Sequence, residues 1–339
     1  MTSTDTSKRV FGYDLLKALA MFLVVFYHFG MLDFSFEAGK YYIPNLNKIV
    51  QLICAAGVPL FFMVNGALTI HKKTTFKKVI IKVIKLLLIA IFWAILFHWG
   101  VDVYVFGAQF NKSLISLLDY YWFLRSLAVV YLINYLIEIL PKWFGYLLLI
   151  AIFSITFLNN FIWDIIVYIN PEQTIPRWGQ TGLFTLYGVV YSRVGAYLKN
   201  TKLNFLVCIL IFLAGLALNV FKTIAMTNHD NIIFDGVNAS FPTLGALLLS
   251  IAFFCMLKGV KDNFWSSQVI ETIGANSIGV YIFQFVFIGI TKRFFYKGLF
   301  HVTVLPLPLV FITVLVITIV CAYISKGIMR TPFKVLLKL

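Results

Sequence analysis

Three ionisable residues stand in the first long apolar run of the 339-residue chain: Asp14, Lys17 and His28. A charged group inside a membrane span costs about 2.5–3.5 kcal/mol on insertion scales, so these residues are functional candidates. On a helix, Asp14 can pair with Lys17 three positions later. His28 follows Lys17 by close to three turns, about 16 Å of rise, so all three share one stripe. A histidine exchanges a proton near neutral pH and can act as the general base that activates a hydroxyl.

A simpler interpretation treats Asp14 and Lys17 as interfacial anchors whose side chains reach the lipid headgroups. It fits His28 less well, although a histidine can itself stand near the opposite interface. We therefore expect the stripe to face the interior of a helix bundle rather than lipid.

A basic segment, HKKTTFKKVIIKVIK, occupies residues 71–85. Its lysines Lys78, Lys82 and Lys85 are spaced i, i+4 and i+7, which places them on one helical face. One interpretation is a topology signal that touches anionic lipid. The other is a cationic cradle for a phosphate-rich cytosolic donor such as coenzyme A.

Two further apolar runs carry polar residues that need an explanation. In GVPLFFMVNGALT (residues 57–69), Pro59 loosens a helix and Asn65 requires hydrogen-bond partners. In DYYWFLRSL (residues 119–127), an aromatic belt anchor explains Trp122. It does not explain Arg125, which should pair with a carboxylate or an anionic substrate.

The run IGANSIGVYIFQF (residues 273–285) brings four polar side chains into the membrane: Asn276, Ser277, Tyr281 and Gln284. Asn276 and Ser277 can cap a helix start. Tyr281 and Gln284 can face a polar cavity.

The composition requires these residues to stand on membrane helices. The chain is 61% hydrophobic and 12% charged, whereas a soluble domain carries about 25% charged residues. Ten apolar runs approach the 20 residues that cross a bilayer: 10–31, 47–70, 79–99, 119–140, 144–163, 180–199, 203–222, 241–258, 272–291 and 303–325. The sequence predicts an all-α, polytopic bundle of about ten transmembrane helices, with residues 1–339 as a single membrane domain and no separate soluble domain.

The basic residues predict the orientation of the bundle. The segments at the amino-terminal side hold more lysine and arginine than those opposite, which favours both ends in the cytoplasm. Lys222 and Asp164 are assigned to the outside loops in this scheme. The net charge of +15 follows from this loop bias and does not indicate a nucleic-acid partner. No metal-ligand spacing, nucleophile elbow or phosphate-binding loop occurs, so metal, serine-hydrolase and ATPase chemistry lack support.

The order of these segments resembles the acyltransferase-3 family of membrane acyltransferases. The resemblance rests on YDLLKALAMFLVVFYHF (13–29), GVPLFFMVNGALT, the basic run 72–85, YWFL (121–124), SIGVYIFQF (277–285) and MRTPFKVLL (329–337). The family usually has arginine at the position of Lys17, often serine at Asn65 and commonly histidine at Gln284. These departures bear on the substrate rather than on the reaction class.

The resemblance implies transfer of an acyl group, commonly acetyl, from acetyl-CoA or another acyl-CoA to a hydroxyl of a cell-envelope or exopolysaccharide sugar at the cell membrane. No bound cofactor is implied. His28 is then the base or an acyl relay, and Lys17 and Asp14 orient the donor or tune the histidine. The phosphates of the donor are assigned to Lys78, Lys82 and Lys85. The acceptor path is assigned to Asn65, Trp122, Arg125, Asn276, Ser277, Tyr281 and Gln284. A transporter or flippase for a glycan or lipid-linked precursor is the alternative, although no internal hydropathy symmetry supports it.

Overall fold

The computed structural model describes residues 10–30, 46–70, 72, 74–97, 121–172, 186–230, 237, 240–262, 267–292 and 306–337. All regular structure within these ranges is helical, without a strand. Backbone groups in lipid must be paired within the protein, and a helix does so within one segment. The predicted all-α membrane bundle is confirmed.

Thirteen α-helices make up the described part of the chain. They are α1 (Phe11–Gly30), α2 (Leu46–Ile53), α3 (Gly57–Thr69), α4 (Phe76–Phe97), α5 (Trp122–Ile139), α6 (Lys142–Phe153), α7 (Asn159–Ile169), α8 (Tyr187–Leu198), α9 (Phe205–Asp230), α10 (Leu244–Leu257), α11 (Ser267–Ala275), α12 (Ser277–Lys292) and α13 (Leu307–Ile328). A 3-10 turn, Cys54–Ala56, joins α2 to α3, and a π-helical turn, Ser154–Leu158, joins α6 to α7. A short 3-10 helix, Pro332–Leu336, follows α13.

Seven helical segments of the described chain are long and apolar enough to cross a membrane. They are α1, the run Ile49–Thr69, α4, α5, the run Lys142–Ile169, most of α9, and α13. A further pair, α11 and α12, passes the same test but bends by 87°. Within the described residues, the predicted run 180–199 contains the 12-residue α8, and the run 241–258 contains the 14-residue α10. The count of ten and the orientation therefore stay predictions.

Helix α1 lies at the centre of the bundle, in contact with α3, α11, α12 and α13. Leu16, Ala20 and Val25 are fully buried among these neighbours. Glycine permits the closest approach elsewhere in the core, since Gly66 of α3 lies against the backbone of Ser192 in α8. Such small residues bring membrane helices together, where packing replaces the hydrophobic effect.

The outer helices expose apolar side chains, as expected of surfaces that face lipid. Trp143, Tyr146 and Ile150 of α6 are largely exposed, as are Leu206 and Leu210 of α9. A soluble monomer seldom presents apolar patches of this kind. The polar residues of the inner helices are therefore separated from lipid by an outer layer.

Candidate functional site

The site begins at the break between α11 and α12, whose axes differ by 87°. The side-chain amide of Asn276, between the two helices, donates to the carbonyl of Thr272 at 2.8 Å. The backbone carbonyl of Asn276 accepts the N–H of Val280 at 3.0 Å, the first bond of α12. Asn276 thus hydrogen-bonds to the last turn of α11 and to the first turn of α12. Asn276 stands at the helix start that the sequence indicated, and its side-chain oxygen accepts from the Ser325 hydroxyl at 3.4 Å.

Lys17 connects α1 to this break. Its Nζ lies 3.3 Å from Oδ1 of Asp14 and donates to the carbonyl of Gly274 at 3.2 Å. The last carbonyls of a helix lack partners within it and carry partial negative charge, so a cation is favoured there. Asp14 is 2% exposed, and the Lys17 side chain 22%. The ion pair predicted from the three-residue spacing is present.

Gly274 is necessary for this close contact. A Cβ at this position would stand 2.7 Å from both the Cα and the Cβ of Asp14, closer than real Cβ contacts allow. The absence of a side chain lets the end of α11 rest on the backbone of α1. This approach puts the Gly274 carbonyl within reach of the Lys17 ammonium.

A cavity of about 310 Å³ opens beside Lys17, between α1, α3, α5, α12 and α13. Its polar lining consists of Lys17, Asn65, Asn276, Ser277, Tyr281 and Ser325. The remaining wall is mainly apolar, with Met21, Leu127, Met329 and Leu337 among its residues. We call this space the Lys17 cavity. It combines one ammonium, several neutral hydrogen-bonding groups and an apolar surface.

Aromatic side chains pack behind Tyr281. The Tyr281 ring lies 5.4 Å from that of Phe123 and 5.9 Å from that of Tyr121, both edge-on. The Tyr281 hydroxyl accepts the N–H of Phe123 at 3.4 Å, and the Tyr121 hydroxyl donates to the carbonyl of Ile282 at 3.2 Å. These bonds hold α5 against α12.

Asn65 has the partners that the sequence required. Its Nδ2 donates to the hydroxyl of Tyr131 at 2.5 Å, and its backbone carbonyl accepts from Thr69 at 2.7 Å. Tyr131 and Thr69 also line a second cavity, whereas Asn65 lines the first. Asn65 and Tyr131 therefore form a polar contact between the two spaces.

The second cavity, the lysine cavity, has a volume of about 540 Å³ and is lined by Lys72, Lys78 and Lys82. The Lys82 ammonium lies 3.8 Å from the centre of the Tyr131 ring, a cation–π contact. Lys85 is exposed and is not among the described residues of this lining. Two of the three lysines predicted to act together are thus brought to one site, and the third is not.

The histidine predicted to be catalytic stands further along α1. The His28 ring is half-buried and lies 5.0 Å from the ring of Phe285 on α12. Lys17 contacts Gly274 of α11 and His28 contacts Phe285 of α12, so the stripe of α1 faces the broken helix. The sequence predicted that the stripe faces the bundle interior, but not which helices it meets there. His28 is absent from the described lining of the Lys17 cavity.

A family model described as an acyltransferase domain matches residues 10–326. The chain belongs to the acyltransferase-3 family. No curated protein and no solved structure matches it at a significant level. Family membership makes the protein a membrane acyltransferase, and the resemblance to this family is confirmed. The matched range contains the Lys17–Asp14 ion pair, the lysines of the lysine cavity and His28, and it ends before the 3-10 helix that follows α13.

Three residues assigned to the acceptor path of the acyltransferase are not among the described lining of the Lys17 cavity: Trp122, Arg125 and Gln284. Trp122 stacks on Phe241 at 5.6 Å, and Arg125 is half-buried in the first turn of α5. Gln284 is fully buried, and among the described residues neither its side-chain nitrogen nor its oxygen has a hydrogen-bond partner. Such a group is costly to bury, which makes Gln284 a candidate for a bond to a substrate.

Two charged residues of the acyltransferase were placed wrongly by the sequence analysis. Lys222 and Asp164 are buried in α9 and α7, not exposed in outside loops. Hydropathy alone ended the span at Lys222, whereas α9 continues to Asp230. The apolar residues 224–226 that follow Lys222 are the signal that could have corrected this boundary.

Proposed function

We propose that this acyltransferase moves an acyl group, acetyl in the first instance, from acyl-CoA to a hydroxyl of a cell-envelope or exopolysaccharide sugar at the cell membrane. The observation that supports it is the pair of cavities joined at Asn65 and Tyr131, one lined by lysines and the other containing Lys17. A phosphate-rich donor with a long arm fits such a pair, since its charged end and its reacting end need different surroundings.

The lysine cavity supplies the charged surroundings. Lys78 and Lys82 offer ammonium groups to phosphate oxygens, with Lys72 beside them. The carboxylate in the same lining, Glu138, is engaged by Arg193 at 2.6 Å. Because Arg193 already neutralises Glu138, this carboxylate competes less with a donor phosphate for the lysines.

The Lys17 cavity suits the thioester end. An ammonium held by Asp14 and Gly274 can stabilise negative charge on the thioester oxygen as the acceptor hydroxyl attacks the carbonyl carbon. The new C–O bond forms, the C–S bond breaks, and coenzyme A leaves as a thiolate that takes up a proton. The apolar wall accommodates the acyl chain.

We assign His28 to the deprotonation of the acceptor hydroxyl. His28 stands about 16 Å beyond Lys17 along α1, so it does not contact the thioester itself. As the sugar hydroxyl attacks beside Lys17, its proton passes to His28 through hydrogen-bonded water along the α1–α12 interface, and the imidazolium gives a proton back for the leaving thiolate. Gln284 lies on α12 three residues after Tyr281 and on the same face. Its amide has no hydrogen-bond partner within the described chain and can bond a water molecule or the acceptor on this path.

A double-label experiment tests the proposal. Membranes containing the protein are incubated with acyl-CoA labelled either in the acyl group or in the adenine. We expect the acyl label alone to appear on an envelope glycan, released by mild alkali as an ester is. Membranes lacking the protein should show neither label. A glycan that crosses the membrane without gaining acyl label would contradict the proposal and support the transporter alternative.

A further inference from the structure

The chain after α13 folds back onto the bundle. The Thr331 hydroxyl accepts the N–H of Phe333 at 3.2 Å and starts the 3-10 helix Pro332–Leu336. The indole N–H of Trp93, on α4, then donates to the carbonyl of Leu336 at 2.8 Å. The Trp93 ring packs edge-on against Phe283 of α12 at 5.0 Å. Residues 331–337, which we call the strap, are therefore held against α4 beside α12.

The strap presents one residue to the Lys17 cavity. Leu337 is 5% exposed and lines the cavity together with Met329, whereas Val335 is 63% exposed and Phe333 is exposed to a similar degree. Burial of Leu337 is therefore a feature of its position and not of the whole strap. The strap lies beyond residue 326, where the family match ends.

We propose that Leu337 limits the length of the acyl chain that the Lys17 cavity accepts, and that the Trp93–Leu336 hydrogen bond holds it in place. This inference rests on the proposed function. The cavity is small, about 310 Å³, and Leu337 belongs to its apolar wall. In an apolar pocket one methylene changes the specificity ratio by roughly 10–200-fold, so one leucine is enough to select chain length.

Transfer rates with acetyl-, butyryl- and hexanoyl-CoA test the selectivity. In Leu337→Ala we expect the hexanoyl-to-acetyl ratio to rise by about tenfold or more, because truncation lengthens the apolar space. Trp93→Phe, which keeps a ring and loses the donor, should change the ratio in the same direction. Val335→Ala is the matched control and should leave it unchanged. An unchanged ratio in a folded Leu337→Ala protein overturns the proposal.

Cysteine labelling tests the strap without relying on activity. In a variant whose four native cysteines are replaced, Val335→Cys should react with a maleimide about tenfold faster than Leu337→Cys, and Trp93→Phe should accelerate the latter. Equal reactivity overturns the buried strap and leaves the proposed function standing. A protein that labels as expected but transfers no acyl group overturns both the proposed function and the selectivity that rests on it.

Discussion

Lys17 joins two parts of the site that are 257 residues apart in the chain, its own helix and the end of α11. The ammonium lies between a buried carboxylate and a carbonyl at the end of α11, which balances its charge inside the membrane. The Asp14 pairing was predictable from helical spacing alone. The Gly274 contact was not, because it depends on how two distant helices meet.

Two substitutions of Lys17 distinguish the contribution of its positive charge from that of its side-chain shape. Lys17→Met removes a cation from a buried carboxylate, so we expect the free energy of unfolding to fall by about 1–3 kcal/mol and acyl transfer to be lost. Lys17→Arg keeps the charge and should retain transfer. The measurements are thermal unfolding in detergent and labelled acyl transfer.

The double variant Asp14→Asn with Lys17→Met is the control for stability. It removes both charges, and we expect it to recover most of the lost stability without recovering transfer. Full transfer in this double variant would show that the ammonium is not needed for the reaction.

Substitutions of Lys78, Lys82 and Lys85 should differ in their effects on the KM for the acyl-CoA donor. Lys78→Gln and Lys82→Gln should each raise the KM for acyl-CoA by about threefold to tenfold with little change in kcat, since one hydrogen bond contributes roughly 0.5–1.5 kcal/mol. Lys85→Gln is the matched control, because Lys85 is exposed and outside the described lining of the lysine cavity. Equal effects of all three substitutions would favour a general lipid-binding role.

At the scale of elements, the bend of 87° between α11 and α12 determines the shape of the site. The sequence showed a polar start to the span at 272–291 and placed a cap at Asn276. It could not show the angle, which depends on the packing of Gly274 against Asp14 and on the contact of Asn276 with Ser325 at 3.4 Å. Local sequence therefore indicated a helix start at Asn276 and Ser277 but predicted one span over 272–291. Tertiary contacts determine the direction of the break.

Gly274→Ala should disturb this element directly. The added methyl would stand 2.7 Å from Asp14, so we expect a loss of about 1–3 kcal/mol in unfolding free energy and a large loss of transfer. Gly327→Ala is the matched control, because its Cβ would meet no atom within 4 Å. Its stability should stay within about 0.5 kcal/mol of the wild type. Comparable losses in the two variants would argue against a specific α1–α11 contact.

At the scale of the whole molecule, composition was enough to predict a helical membrane bundle. It was not enough to count the spans, because α8 and α10 have 12 and 14 residues, shorter than the roughly 20 that cross a bilayer. Hydropathy sums apolar residues and does not distinguish a short buried helix from a full span. The predicted end of the span at Lys222 was wrong for a related reason. A single lysine lowers the hydropathy average, but it does not end the helix, which continues to Asp230.

The orientation of the bundle remains a prediction that single cysteines can test. In a variant without native cysteines, an impermeant maleimide added outside intact cells should label Glu172→Cys and not Lys202→Cys. Both residues are exposed next to helix ends, and the lysines near residue 202 favour the cytoplasm. Labelling of Lys202→Cys with protection of Glu172→Cys would reverse the orientation.

The most direct test of the mechanism compares two histidines of similar surroundings. His28 contacts Phe285 at 5.0 Å and His229 contacts Trp163 at 5.3 Å, and both are half-buried. The measurement is the rate of labelled acyl transfer to glycan at equal expression of each variant. We expect His28→Ala to lower the rate by about 100-fold or more, as loss of a general base does, and His229→Ala to leave it within about twofold. An unchanged rate in His28→Ala would contradict the proposed mechanism.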